Sequence, residues 1–159
     1  MTTLADVTTR QGDGDPGEAL VAGWNPEWTT DQLDALIRST PGHVVDDAFP
    51  LVHRFAPGVY AREITMPAGF VILGKQHRTT HFNIISKGTV SFWMQGEPVR
   101  KVSAPYTFVS GPGIRKVLYI HEETVWTTIH VTDETDPEKL EALLIAPHEN
   151  PLLIEGAPV

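Results

Sequence analysis

A chain of 159 residues with no cysteine, 20 acidic and 12 basic side chains and a formal charge of −8 is long enough to bury one proper core without staples. Disulfides, thiolate nucleophiles and thiolate metal sites are excluded, so any metal must rest on His, Asp or Glu. The acidic balance argues against general nucleic-acid binding, although a small basic pocket could hide inside an acidic surface. No apolar run approaches the roughly 20 residues of a membrane span. The N-terminus MTTLADVTTRQGDGDPGEAL lacks a basic start and an apolar stretch, so a cytoplasmic protein is expected.

Residues 1–22 are polar, acidic and rich in Gly and Thr, with too little apolar content to order themselves, and read as a flexible arm. In a helical lead-in, 23–50, Thr29-x-x-Gln32 reads as a capping box opening a helix through Leu33, Leu36 and Ile37, which Pro41-Gly42 stops. From Leu51 to Thr132 the apolar period changes to two and turn signals recur, the pattern of an antiparallel sandwich or barrel. Strands are predicted near 51–56, 59–65, 70–75, 77–85, 89–94, 99–103, 106–110, 115–120 and 124–132. Pro57-Gly58, Pro67-Ala68-Gly69, Lys87-Gly88, Gly111-Pro112-Gly113 and His121-Glu122-Glu123 are among the breaks between them. With no helical crossover in this span, a parallel sheet is not expected. In the closing segment, 133–159, Asp136-Pro137 reads as the N-cap and first residue of a helix through Leu140, Leu143 and Leu144. Pro147 ends it, and an apolar tail, Pro151-Leu152-Leu153-Ile154, follows.

The stretch from Gly69 to Gly88, GFVILGKQHRTTHFNIISKG, carries the strongest functional pattern. On one straight strand, residues four apart are separated by about 13 Å, too far for His77 and His81 to share an ion with bonds near 2.0–2.1 Å. A turn must lie between them. Arg78-Thr79-Thr80 has the length of a hairpin loop that would set both imidazoles side by side at the mouth of a sheet. The stretch resembles the first signature of the cupin superfamily: a glycine, five residues, His-x-His, three or four residues, a glutamate, six residues and a closing glycine. Gly69 and Gly88 take the glycine places, Lys75 and His77 those of the two histidines, and His81 that of the glutamate. The resemblance covers roughly residues 51–132 and implies an all-β fold, a cupin-type antiparallel β-barrel (double-stranded β-helix or jelly roll), with the two short helices flanking it.

The second cupin signature is a glycine, five residues, Pro-x-Gly, two residues, His, three residues and Asn. In this chain Pro105 stands at the opening glycine, Gly113 keeps its place, Lys116 replaces the histidine and Ile120 the asparagine. A protonated ammonium has three donors and no lone pair, so Lys75 and Lys116 could join an ion only as deprotonated amines, or act beside it. Two histidines need a third ligand. His130 is the best candidate, late in its strand on the same pleat face as Trp126 and Thr128. His121, in a turn beside two glutamates, and Glu63, on a strand, are weaker candidates with a simpler solvent-facing reading. His43 and His148 read as surface groups and His53 as a half-buried polar residue. Phe92, Trp93, Tyr106, Phe108, Tyr119 and Trp126 are expected in the core or a layer covering it.

The runs HFNIISKGTVSFW, TFVSGPGIRKVLY and EETVWTTIHVTDETD also resemble a group of small cupin-like proteins from bacteriophage and prophage genomes. That resemblance implies no reaction, and it would place the protein in a host cytoplasm or with a virion. Three functions stay open, and with them whether the chain is an enzyme. One is a small-molecule-binding or enzymatic cupin with a divalent metal (Fe, Mn, Zn or Ni) on His77, His81 and His130, capable of dioxygenase or isomerase chemistry if coordination positions stay open. Another is a metal-free cupin whose Lys75, Arg78, Arg115 and Lys116 line the barrel mouth and bind a nucleotide or sugar phosphate. The third is a phage-associated structural or accessory interaction module. Neither a membrane nor nucleic acid in general is an expected partner. A homo-oligomer is expected, because open strand edges and the apolar tail need cover.

Overall fold

The computed structural model describes Gln32, residues 49–94 and residues 97–146. The arm over 1–22, all but Gln32 of the lead-in helix, His43, His148 and the apolar tail lie outside the described residues. The strands follow in the order β1 (Leu51–Ala56), β2 (Val59–Met66), β3 (Val71–Leu73), β4 (His81–Lys87), β5 (Thr89–Met94), β6 (Arg100–Ser103), β7 (Tyr106–Ser110), β8 (Lys116–Ile120) and β9 (Thr124–Val131), and then α1 (Pro137–Leu144). Every predicted strand is present. The turns fall where Pro, Gly and short polar runs interrupt the apolar alternation.

Two antiparallel sheets face each other, one ordered β1-β2-β9-β4-β7 and the other β3-β8-β5-β6. The chain changes sheet between β2 and β3, β3 and β4, and β4 and β5, and again at each step from β6 to β9, which winds the sheets into a double-stranded β-helix. Alternation along β9 explains why the sheets stack: Thr124, Trp126, Thr128 and His130 are buried, whereas Val131 on the opposite face is 89% exposed. The core between the sheets is built from Ile64, Met66, Ile85, Val90, Phe92, Ile120 and Trp126, among others. Phe92 stacks on Phe108 and meets Trp126 edge-on, with centroids 5.0 and 5.7 Å apart. Trp93 points the other way, into a smaller cluster with Val117.

The connection that carries His77 departs from the hairpin expected at Arg78-Thr79-Thr80. β3 ends at Leu73 and pairs with β8, while β4 begins at His81 and pairs with β7 and β9, so residues 74–80 cross from one sheet to the other. The reason lies in where the backbone groups of this segment find partners. Gly74 N donates to Lys116 O (2.9 Å), Gly113 N donates to His77 O (2.8 Å), and Arg78 N donates to Leu144 O (2.7 Å).

The helix forms as its capping residues require. The Asp136 carboxylate accepts from Glu138 N at 3.0 Å, and Pro137 occupies the first turn, where its missing N–H costs nothing. Leu140 and Leu144, one turn apart, are buried against Tyr60. Each contributes about 1.5–3 kcal/mol of apolar burial, which holds the helix across one end of the barrel. Leu143 stays half exposed. Among the described residues no helix is long and apolar enough to cross a membrane.

Candidate functional site

Strand register turns the inner face of the five-stranded sheet into rows that grow more polar toward one end. Leu51, Ile64, Trp126, Ile85 and Tyr106 form an apolar row. The next row is His53, Arg62, Thr128, Asn83 and Phe108. The third has Phe55, Tyr60 and His130, with His81 paired to Ser110 on the far side. The crossing segment brings His77 over this last row. Behind the histidines, polar groups are satisfied in sequence: Trp126 Nε1 donates to Asn83 Oδ1 (3.1 Å), and Asn83 Nδ2 donates to Ser110 Oγ (3.0 Å).

His77, His81 and His130 meet as a triad. Their ring centroids are 4.2 Å (His77 to His81), 5.1 Å (His77 to His130) and 4.9 Å (His81 to His130) apart. All three are buried, and each keeps one buried ring nitrogen with no hydrogen-bond partner: His77 Nδ1, His81 Nε2 and His130 Nδ1. The second nitrogen of two of them is engaged. His81 Nδ1 donates to the Thr79 carbonyl at 3.0 Å, and His130 Nε2 lies 3.1 Å from Thr128 Oγ1.

Burial, first, pushes the His77 imidazole down to about 2, with His81, His130, Lys116 and Arg62 adding to the effect. Burial takes His130 down to about 4, helped by His81 and by the cations Arg62 and Lys116. His81 is lowered by burial against the opposing pull of the Thr79 carbonyl. The triad is therefore neutral at pH 7, the form in which imidazole binds metals.

The donor chemistry fits a divalent metal; the ring attitudes are not those of a closed cage. Interplanar angles of 46°, 29° and 27° are nearer to stacking than to convergence on a point. Among the described residues no group of three or more His, Cys, Asp or Glu stands in a ready coordinating arrangement.

The four cations expected at the mouth divide among three settings. Lys75 lines a cavity beside His77 and places Nζ 2.8 Å from Glu141 Oε1 on α1. Lys116 is buried below the triad with Nζ 5.9 Å from the Phe108 centroid, and burial lowers its ammonium to about 8. Arg78 Nε donates to Ile145 O (3.0 Å) and Arg115 Nε to Gly74 O (2.7 Å), so both guanidinium groups tie down backbone at the rim. Of the weaker candidates, Glu63 pairs with Arg54 at 3.0 Å, and His121 Nε2 lies 2.8 Å from Ser91 Oγ on the other sheet.

The cavity, about 150 Å³, opens beside His77 and His130 and is roofed by Leu140, Leu144 and Ile145. Its walls include residues that the sequence reading passed over: Tyr60, Arg62 and Glu141. Tyr60 Oη lies 2.7 Å from His53 Nδ1, and burial raises its phenol, so the hydroxyl keeps its proton. Arg62 shares the inward alternation of Tyr60, Ile64 and Met66, and that period was the signal that could have found it.

No protein-family model matches the chain, and no curated protein matches it. Solved structures that it resembles include a cupin 2 domain-containing protein from Halorhodospira halophila (14% identity, 65% of this chain and 81% of that one, TM-score 0.47). An RmlC-like cupin family protein with a double-stranded β-helix fold from Methanocaldococcus jannaschii is similar at 14% identity over 62% of this chain and 92% of that one, TM-score 0.44. A cupin-2 domain containing protein from Shewanella frigidimarina matches at 13% identity over 52% and 80%, TM-score 0.43. Its own strand order, with the chain passing repeatedly between two antiparallel sheets, gives the chain a double-stranded β-helix fold.

Proposed function

We propose that the protein binds a small molecule in the barrel mouth beside a divalent first-row metal ion held by His77, His81 and His130. The observation that supports this most strongly is the set of three buried, neutral imidazoles, each with one unpartnered ring nitrogen. A buried nitrogen without a partner costs about 1–3 kcal/mol, so three together call for a ligand, and His81 already has the lone pair on its Nε2 because its Nδ1 donates to a carbonyl. Of the ions considered, Fe, Zn and Ni suit imidazole donors. The ion would supply Lewis acidity toward a ligand oxygen. The chain's own residues do the rest: the Thr79 carbonyl and the Thr128 hydroxyl orient two of the rings, and α1 covers the cavity against bulk water.

The test is metal retention. Protein purified without an affinity tag is stripped with chelator, loaded with each ion, dialysed and analysed for metal. Wild type should keep one ion per chain, and His77→Ala, His81→Ala and His130→Ala should each lose it while keeping a β-rich circular dichroism spectrum. Wild type that retains no ion, or a His81→Ala protein that retains as much as wild type, would overturn the proposal.

A further inference from the structure

We infer that Arg62 anchors a subsite for a small monocarboxylate ligand in the cavity next to the three imidazoles. This shares the cavity of the preceding reading and specifies its ligand class, but it does not depend on an ion being bound. Arg62 projects from β2 onto the inner face, between Tyr60 and Ile64 and across from Thr128 of β9. Its Nη2 is buried with no hydrogen-bond partner, in the wall of the cavity that also exposes Tyr60, His77 and His130. A guanidinium nitrogen left dry and unpartnered is expensive, and a carboxylate restores the missing bond with charge assistance.

Charge sets the valence of the ligand. Among the described residues lining the cavity, Lys75 and Glu141 are closed on each other at 2.8 Å, so Arg62, with its bare Nη2, is the cation left to face a ligand. That balance suits a monoanion better than a phosphate dianion. Size sets its bulk: a cavity of about 150 Å³ takes a group of about benzene's dimensions. The roof of Leu140, Leu144 and Ile145 offers that body an apolar surface.

The experiment is calorimetric titration of the full chain, metal-free and zinc-loaded, with acetate, pyruvate and benzoate, using benzamide and inorganic phosphate as comparisons. At least one carboxylate should bind wild type and exceed both comparisons. Arg62→Met should weaken it by roughly ten- to a hundredfold, the range for a hydrogen bond to a charged group, and Arg62→Lys should recover part of the loss. Arg62→Met should also melt no lower than wild type without ligand, since it removes a buried unpartnered group, and it should lose the carboxylate-induced rise in melting temperature. No binding by any carboxylate, equal binding of benzamide and benzoate, or binding unchanged in Arg62→Met would overturn the inference. Failure of the ion reading shows separately, as metal-free wild type that binds carboxylate through Arg62 but retains no zinc.

Discussion

His81 Nδ1 lies 3.0 Å from the Thr79 carbonyl oxygen, two residues back along the chain, and this contact assigns the ring's tautomer. A carbonyl only accepts, so Nδ1 carries the proton and Nε2 keeps the lone pair. Long-range nitrogen–proton correlation spectra of the metal-free protein at pH 7.5 should show His81 as the Nδ1–H form. A population dominated by Nε2–H would mean that the ring is not prepared to offer Nε2 to an ion.

Lys116 is a buried ammonium whose ordinary value of 10.5 falls to about 8 because burial disfavours its charge. Between pH 8 and 10.5 the unfolded chain therefore binds a proton that the folded chain does not, and stability contributed through Lys116 rises with pH across that window. At pH 7 the folded state bears the cost of the buried charge. Lys116→Met, similar in length and uncharged, should raise stability by about 1–3 kcal/mol at pH 7, with the gain fading toward pH 10.5. Urea unfolding of both proteins at pH 7 and pH 10 checks it; a gain that is equal at both values rejects the burial argument.

The two glycines that bracket the first signature are required to different degrees. Gly88 has φ +92°, and a Cβ there would collide with the Glu123 carbonyl oxygen and lie 2.6 Å from Thr124 Oγ1 and 2.8 Å from Thr124 Cα. Gly69 has φ +88° with nothing within 4 Å of an added Cβ. Gly69→Ala should cost only its backbone strain, about 1 kcal/mol, whereas Gly88→Ala should cost clearly more, about 3 kcal/mol or above. Thermal melts of the two variants should rank accordingly, and equal losses would show that Gly88 is not in fact crowded.

The packing of α1 should be visible as protection of the crossing segment. Leu140→Ala removes a buried side chain from the contact with Tyr60 and should destabilise by about 2–4 kcal/mol. Because Arg78 N bonds Leu144 O and Ala146 N bonds Gln76 O, amides 78 and 146 should lose hydrogen-exchange protection first in that variant. Uniform loss across β4 and β9 would instead indicate one cooperative unit.

Strand positions were legible because each turn carries Pro, Gly or a short polar run, and because in β9 and most of β4 every second residue is buried while its neighbours are less so. His130 was legible for the same reason, since it shares the parity of Trp126. The hairpin at Arg78-Thr79-Thr80 was misread: a short polar loop between two strands signals a tight turn, but which sheet each strand joins depends on partners as distant as Lys116 and Leu144. Arg62 escaped notice because an arginine on a strand is ordinarily solvent-facing, although it shares the inward parity of Tyr60, Ile64 and Met66. The strongly lowered imidazoles could not be read at all, since they depend on three rings contributed by separate parts of the chain.

The bonds between α1 and the crossing segment also set His77 apart from the other two imidazoles. Lys75 to Glu141, Arg78 to Leu144 and Ile145, and Gln76 to Ala146 are joined across some sixty-six to seventy residues of chain. His81 and His130 are seated by β4 and β9, but His77 rests on a segment whose backbone partners include α1 and the residues after it. Displacing the last helix would therefore loosen one side of the His77 seat, leaving its carbonyl bond to Gly113 N, while His81 and His130 stayed on their strands.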